Sequence, residues 1–298
     1  MTAVQYDAIA LIEGVAGLAA RYDGFVLDVW GVLHNGQEPY PGVVDCLSRL
    51  KAMGKRLVIL SNAPRRVSAV VARIGEIGIP PASYDAAYTS GEDTWRHLRM
   101  RGAAEADPFY RALGPRCFHL GPDRDNSLLQ DVPIEPVHDI DAADFVLVTG
   151  PVGRTDTLEQ YEDRLQAMHG RGLKMICANP DLVVVNGGRR ELCAGSLAQR
   201  YQELGGTVRY HGKPHAATYD AVFALMPGIG RDRILAVGDS LRTDMAGAKA
   251  TGIAGLLILG GIHADEFAAD GRVDGAAIAQ ACRREGVAPV AAAPALRW

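Results

Sequence analysis

No stretch of the 298 residues approaches about 20 consecutive apolar positions, the length a membrane-crossing helix needs, so no such helix is expected. The N-terminus lacks a basic segment ahead of its apolar run, and Glu13 interrupts that run between Ala8 and Ala20. This is not the pattern of a secretion signal. Cysteine is sparse: Cys46, Cys117, Cys177, Cys193 and Cys282 are scattered, odd in number and without a Cys-x-x-Cys pair. That argues against a zinc site or a disulfide framework and for buried free thiols, with a cytoplasmic location expected. An excess of one charge is also missing. The 31 basic and 35 acidic residues leave a net −4, unlike the strongly basic face of a dedicated nucleic-acid binder. There is no internal repeat or low-complexity tract, so a repeat array is not expected.

What remains is ordinary globular composition, 48% apolar and 22% charged. At about 150 residues per domain the length implies two domains. Each can bury a core without a metal or disulfide staple.

Short apolar runs alternate with amphipathic segments. Phe25-Val26-Leu27 reads as a strand ending at Asp28. Pro41 opens a helix with Val44, Leu47 and Leu50 on one face, stopped by Gly54. Leu57–Leu60 is the next strand, ending at Ser61, and a helix through Val67, Val70, Val71, Ile74 and Ile77 stops at Gly78. The order returns late in the chain, with strands at Val208–Tyr210, Ile234–Val237 and Gly255–Leu259. Helices are expected over about Ala216–Met226, Thr243–Ala250, and near Asp265 and Ala276. This β–α alternation predicts an α/β fold with a parallel sheet covered on both faces. The Ala/Pro-rich tail from Val287 to Arg297 reads as a surface appendage. In the middle, Ser90-Gly-Glu-Asp93 reads as a cap for a helix through Trp95 and Leu98. Apolar runs at Cys117–Leu120, Phe145–Val148 and Met175–Cys177, with a helix near Leu158–Met168, make a second α/β unit.

Four signals fall at strand ends, where open α/β sheets bind ligands. Asp28 directly follows a strand, although alone it reads equally well as a turn cap. Ser61-Asn62 holds the matching place on the next strand and offers a hydroxyl and amides to an anion. Taken alone, it is also an ordinary turn. Asp239 and Asp244 lie five residues apart after a buried strand. Two carboxylates there repel unless a cation joins them, and Mg²⁺ takes a few carboxylates plus water and phosphate oxygens. Asp244 acting with Thr243 as a simple helix cap is the competing reading. Lys213, in His-Gly-Lys-Pro-His, could neutralise a carboxylate and a phosphate. Together these residues suit phosphoryl transfer through an aspartyl phosphate, with Asp28 as nucleophile and Ser61 and Lys213 orienting and neutralising the transferring group.

In order, the four signals resemble the motifs of the haloacid dehalogenase (HAD) superfamily. Phe25-Val-Leu-Asp-Val-Trp-Gly-Val32 is similar to its first motif, Leu60-Ser-Asn62 to the second and Gly212-Lys-Pro214 to the third. Val237-Gly-Asp-Ser-Leu-Arg-Thr-Asp244, with Gly247 and Ala248, is similar to the fourth. Ser61 and Lys213 lie roughly 150 positions apart, which resembles class IIA, the NagD-like phosphatases with a large inserted cap. Ala178-Asn-Pro-Asp181 is similar to that class's Thr-Asn-Pro-Asp segment. The resemblance implies a Rossmann-like doubly wound core over residues 1–90 and 184–298, and an α/β cap over 91–183. It also implies an Mg²⁺-dependent hydrolase of small phosphorylated metabolites such as sugar phosphates. The implied metal ligands are Asp28, Asp239, Asp244 and the backbone carbonyl of Trp30. Asn62, Arg65, Asn179 and Asp181 would bind substrate, and a homodimer formed through the caps is allowed.

One position departs from the pattern. Most HAD phosphatases carry a second aspartate two residues after the nucleophile, which protonates the leaving group and then activates water. Here that residue is Trp30, and such a group is worth about 10²–10⁴-fold. His34 is the nearest titratable candidate to replace it, the alternative being a loop histidine with a structural hydrogen bond. Arg65, Arg66 and Arg242 could meet anionic substrate groups or simply be solvated. Arg189-Arg190, beside Gly187-Gly188, reads as a turn at the return from cap to core. Two other functions stay open: a catalytically weak binding or regulatory protein, and a dehalogenase, which also lacks the second aspartate but needs no metal.

Overall fold

The computed structural model describes residues 9–186, 189–269 and 272–298. Two parallel sheets organise them. The first has six strands in the spatial order Ala291–Ala293, Ala254–Ile258, Ile234–Gly238, Gly24–Leu27, Arg56–Ser61 and Ala86–Thr89. Every pairing in it is parallel. The second has five, ordered Val208–Tyr210, Lys174–Cys177, Phe145–Val148, Arg116–Leu120 and Glu135–Val137, again all parallel.

Strand side chains alternate between faces, so a strand covered on both sides must be apolar at every position. Phe25, Leu27, Leu57 and Ile59 point to one face and pack with Val43, Cys46, Leu47 and Leu50 of the helix Val43–Ala52. Val26, Val58, Leu60 and Ala236 point to the other and meet Tyr219 and Val222 of the helix Ala216–Ala224. Val44, expected on the buried face, is 38% exposed, because Val43 takes its place in the helical stripe. The helix Val67–Ile77 ends at Gly78, whose φ of 110° is open to glycine at little cost. The second sheet is built likewise. Val146, Val148, Met175 and Cys177 pack on Leu165, Met168, Leu197 and Tyr201, and Phe145, Leu147 and Ile176 on Leu98, Tyr110 and Leu128.

Several expectations are corrected. Val208–Tyr210 is not a core strand, since it pairs with Lys174–Cys177 in the second sheet. A parallel return needs a crossover of a dozen or more residues, and the segment carrying the helix Ala194–Glu203 supplies it. The inserted unit therefore does not stop at residue 183, and the chain leaves its sheet only after Tyr210. Arg189 and Arg190 do not form a turn. They open the strand Arg189–Leu192, antiparallel to Val183–Asn186, while Gly187 and Gly188 lie outside the described residues.

The tail is not an appendage. Ala291–Ala293 pairs with Leu256–Ile258, and its far side is covered by the segment around Leu11, with Ile12 N–H donating to the Ala292 carbonyl at 2.9 Å. Three buried alanines carry no visible hydrophobic period, yet they fit where two layers leave little room. The stretch around Asp265 is a series of turns, and Thr243–Ala250 divides into a widened turn over Leu241–Met245 and the helix Ala246–Thr251. The helix Ser90–Arg99 is capped by Thr89, whose hydroxyl accepts from Glu92 N–H. All five cysteines are buried and free. Among the described residues, no helix is long and apolar enough to cross a membrane.

Candidate active site

Two adjacent core strands end side by side and deliver the acidic residues. Asp28 follows Gly24–Leu27, and its N–H donates to the Val237 carbonyl at 2.9 Å, extending the ladder by one step. Asp239 follows Ile234–Gly238. Asp244 is folded back toward it by the widened turn, and its Oδ2 accepts from Ser240 N–H at 3.1 Å. One carboxylate oxygen from each of Asp28, Asp239 and Asp244 lies within 4.8 Å of the others. Lys213 Nζ donates to Asp28 Oδ1 at 2.5 Å and to Asp244 Oδ1 at 2.7 Å. Asp239 Oδ2 accepts from Ile262 N–H at 2.7 Å. A Cβ placed on Gly31, which has φ +78°, or on Gly261 would stand 2.0 Å from that oxygen, so both positions must lack a side chain.

Three carboxylates with one ammonium are under-compensated. Burial, with the Asp244 charge next, pushes Asp28 up to about 7 against the pull of Lys213. Burial and the charges of Asp28 and Asp244 push Asp239 well above the usual carboxylate range. Burial alone would lower Lys213, but Asp244, Asp28 and Asp181 outweigh it and keep the ammonium charged. The donor set is therefore hard, anionic and short of positive charge, which fits Mg²⁺.

Two cavities meet over this cluster, both touching Asp28, Trp30 and Asp181. One, of about 300 Å³, is walled by Val183, Val184, Arg190, Arg242 and His263. The other, of about 510 Å³, is lined by Ser61, Asn62, Arg65 and Asn179. The residues expected at the site are thus brought together. Several are already engaged. Asn62 Oδ1 accepts from Lys213 N–H at 2.7 Å, and its Nδ2 donates to Asp181 Oδ1 at 2.9 Å. Asn179 Oδ1 accepts from Asp181 N–H, and Arg65 Nε donates to Asp125 Oδ1 at 2.9 Å. Ser61 Oγ accepts from Ala63 N–H at 3.2 Å. Arg66 is taken up by Glu92 and by the face of Trp95, 3.5 Å from the ring centre.

Trp30 packs against the loop that follows it. His34 lies edge-on to the indole, with ring centres 5.2 Å apart. His34 is buried, its Nδ1 accepts from Gly36 N–H at 3.0 Å, and burial lowers its pKa to about 4. It holds a turn and lines neither cavity, so it does not stand in for the missing acid. Sequence reasoning missed the hairpin valines and His263 as wall residues. The signal that could have found a strand there is the β-branched run Val183–Val185.

Comparison with known proteins agrees with this geometry. The sequence profile described as haloacid dehalogenase-like hydrolase matches residues 25–135, and a HAD-hydrolase-like profile matches 210–282. A solved hydrolase of the haloacid dehalogenase-like family from Brucella suis 1330 is 34% identical. It superposes with a TM-score of 0.81 over 96% of this chain and 99% of its own. A structure from Cytophaga hutchinsonii described as a possible sugar phosphatase is 20% identical, with a TM-score of 0.77 over 96% and 98% of the two chains. It supports the fold alone. The 4-nitrophenylphosphatase of Schizosaccharomyces pombe is 27% identical over 83% of this chain and 86% of its own. A parallel sheet with its carboxylates at adjacent strand ends, carrying a second inserted sheet, is a doubly wound α/β architecture with an acidic site at its carboxyl edge. The chain belongs to the haloacid dehalogenase-like hydrolase family, among its class IIA phosphatases.

Proposed function

We propose that this protein is an Mg²⁺-dependent phosphatase of small phosphorylated metabolites. The observation that carries the reading is the Lys213 ammonium joining Asp28 to Asp244, with Asp239 beside them in the smaller cavity and Asp28 open to both cavities. Asp28, Asp239, Asp244 and the Trp30 carbonyl are the residues that would hold the cation. When bound, it offsets negative charge on the phosphoryl oxygens.

Asp28 is the nucleophile. Its carboxylate oxygen bonds to phosphorus as the ester oxygen leaves, and water then cleaves the acyl phosphate to restore Asp28 and release phosphate. Lys213 pulls Asp28 toward its ionised form, as the cation would when bound, and neutralises the transferring group. Ser61 orients that group, and Asn62 fixes the backbone of Lys213. Arg65, Asn179 and Asp181 face the substrate from the larger cavity. The unit from about residue 90 to 211 acts as a cap, and its hairpin of Val183–Asn186 and Arg189–Leu192 excludes bulk water. The likeness to phosphatases that act on 4-nitrophenyl phosphate and on D-glycerol 3-phosphate supports small phosphomonoesters as substrates. The five free thiols support a reducing compartment.

Phosphate release from 4-nitrophenyl phosphate should require Mg²⁺, cease with a chelator and vanish in Asp28→Asn. Release that survives both treatments would refute the mechanism. Halide release from a 2-haloacid in chelator would instead favour the dehalogenase.

A further inference from the structure

The chain crosses between the two sheets twice, after Thr89 and after Tyr210, and one buried carboxylate touches both crossings. Asp93 lies in the first turn of the helix Ser90–Arg99. Its Oδ1 accepts from Tyr88 Oη–H at 2.8 Å, on the last core strand before the first crossing. Its Oδ2 accepts from His211 Nδ1–H at 2.6 Å, at the second crossing, and from Thr218 Oγ1–H at 3.2 Å, on the core helix beyond. The other ring nitrogen of His211 meets the Tyr110 hydroxyl, on the cap side. Burial opposes ionisation of Asp93, but the bonds from His211 and Tyr88 outweigh it and hold the carboxyl below its usual range. Burial lowers His211, so its imidazole is neutral, with the proton on the nitrogen facing Asp93.

Asp93, His97 and His211 could also bring three ligand atoms within 4.8 Å, as a metal site requires. Here both Asp93 oxygens and both His211 nitrogens are already hydrogen-bonded, and His97 Nδ1 lies 2.9 Å from the Asp93 carbonyl. The set is a satisfied network, the condition under which a carboxylate can be buried at all. Asp93 lines neither cavity over Asp28. Its reach toward the site runs through the backbone. Gly212 N–H donates to Thr218 Oγ1 at 3.0 Å, and the next amide, Lys213 N–H, donates to Asn62 Oδ1. From that fixed backbone Lys213 Nζ reaches Asp28 and Asp244.

We propose that Asp93 is a positioning residue for Lys213: through Thr218 and His211 it fixes the second crossing, and so sets the ammonium against the nucleophile. The inference rests on the phosphatase reading for its kinetic consequence but not for its structural one.

Thr218→Val removes the relay hydroxyl at nearly constant volume, and Thr218→Ser restores it. Hydrogen exchange of the native protein should show protection of the amides of residues 211–213. That protection should be lost in Thr218→Val and Asp93→Asn, unchanged in the sheets, and regained in Thr218→Ser. With 4-nitrophenyl phosphate, kcat should fall about tenfold in Thr218→Val and in Asp93→Asn, with KM within about twofold, the signature of a displaced group rather than lost binding. The double variant should be no worse than the poorer single, since both break one path.

Native exchange in Thr218→Val, losses that add in the double variant, or failure of Thr218→Ser to rescue would overturn the proposal. If Asp93→Asn does not fold, the Thr218 pair decides. If the native protein hydrolyses no phosphomonoester, the phosphatase reading fails, and the exchange arm still decides whether Asp93 holds Gly212.

Discussion

Asp28 and Trp30 stand two positions apart on one turn, and the chemistry divides between them. Asp28 has the lysine and neighbouring carboxylates a nucleophile needs, whereas Trp30 has an indole where a proton donor is usual. Transfer to Asp28 should therefore be competent for a good leaving group and slow for a poor one. Aryl phosphates should be turned over faster than alkyl phosphates, and Trp30→Asp should raise alkyl phosphate hydrolysis by about 10²-fold, the lower end of the range general acids supply. Rapid alkyl phosphate turnover by the native protein would contradict this.

A second prediction concerns pH. Asp28 is raised to about 7 in the metal-free fold, above its unfolded value, so the native state holds the extra proton between about pH 4 and 7. Its contribution to stability is present at low pH and is lost as pH rises through that window. In chelator, Asp28→Asn should therefore gain melting temperature over the native protein at pH 8 but not at pH 4. Mg²⁺ should stabilise the native protein more at pH 8 than at pH 5. A constant difference between native and variant across pH would refute the assignment.

At the scale of elements, the strands that read clearly are those with two-sided apolar runs, such as Gly24–Leu27 and Phe145–Val148, each buried at all four positions. The element that did not read is Ala291–Ala293, whose methyl side chains look like linker composition. Its burial makes a prediction. Ala292 is fully buried between Leu257 and the segment around Leu11, so Ala292→Leu should overpack the edge. The expected loss is about 1–3 kcal/mol by urea unfolding. No loss would mean that the strand is only loosely attached. The antiparallel pair Val183–Asn186 and Arg189–Leu192 is equally hard to see. Val183 and Val184 are only partly buried and Val185 is exposed, and what they wall is a cavity formed by residues distant in sequence.

At the scale of the molecule, the carboxylate cluster belongs to one sheet and part of its cover to the other. Closure should therefore be visible away from the chemistry. Mg²⁺ with beryllium fluoride, which mimics a phosphoryl group on an aspartate, should slow amide exchange in Val183–Asn186 and Arg189–Leu192 as well as near Asp28. Protection confined to the core strands would argue against a moving cap.

The acidic and hydroxyl residues at the strand ends are legible because each follows a run of apolar residues that reads as a buried strand, whereas Lys213 follows the half-buried Val208–Tyr210. Asp28, Ser61, Asp239 and the α/β class follow from local pattern and the chemistry of single side chains. The place of Val208–Tyr210 does not, because a short strand pairs wherever a free edge lies at the right distance, and that edge was made by Lys174–Cys177. The roles of Asn62 and Asp93 were hidden for the same reason. Each is defined by hydrogen bonds to residues more than a hundred positions away. Sequence determined which side chains stand at the strand ends; only the tertiary structure decided which of them face each other, since proximity across the sheets arises from packing and leaves no local periodicity to read.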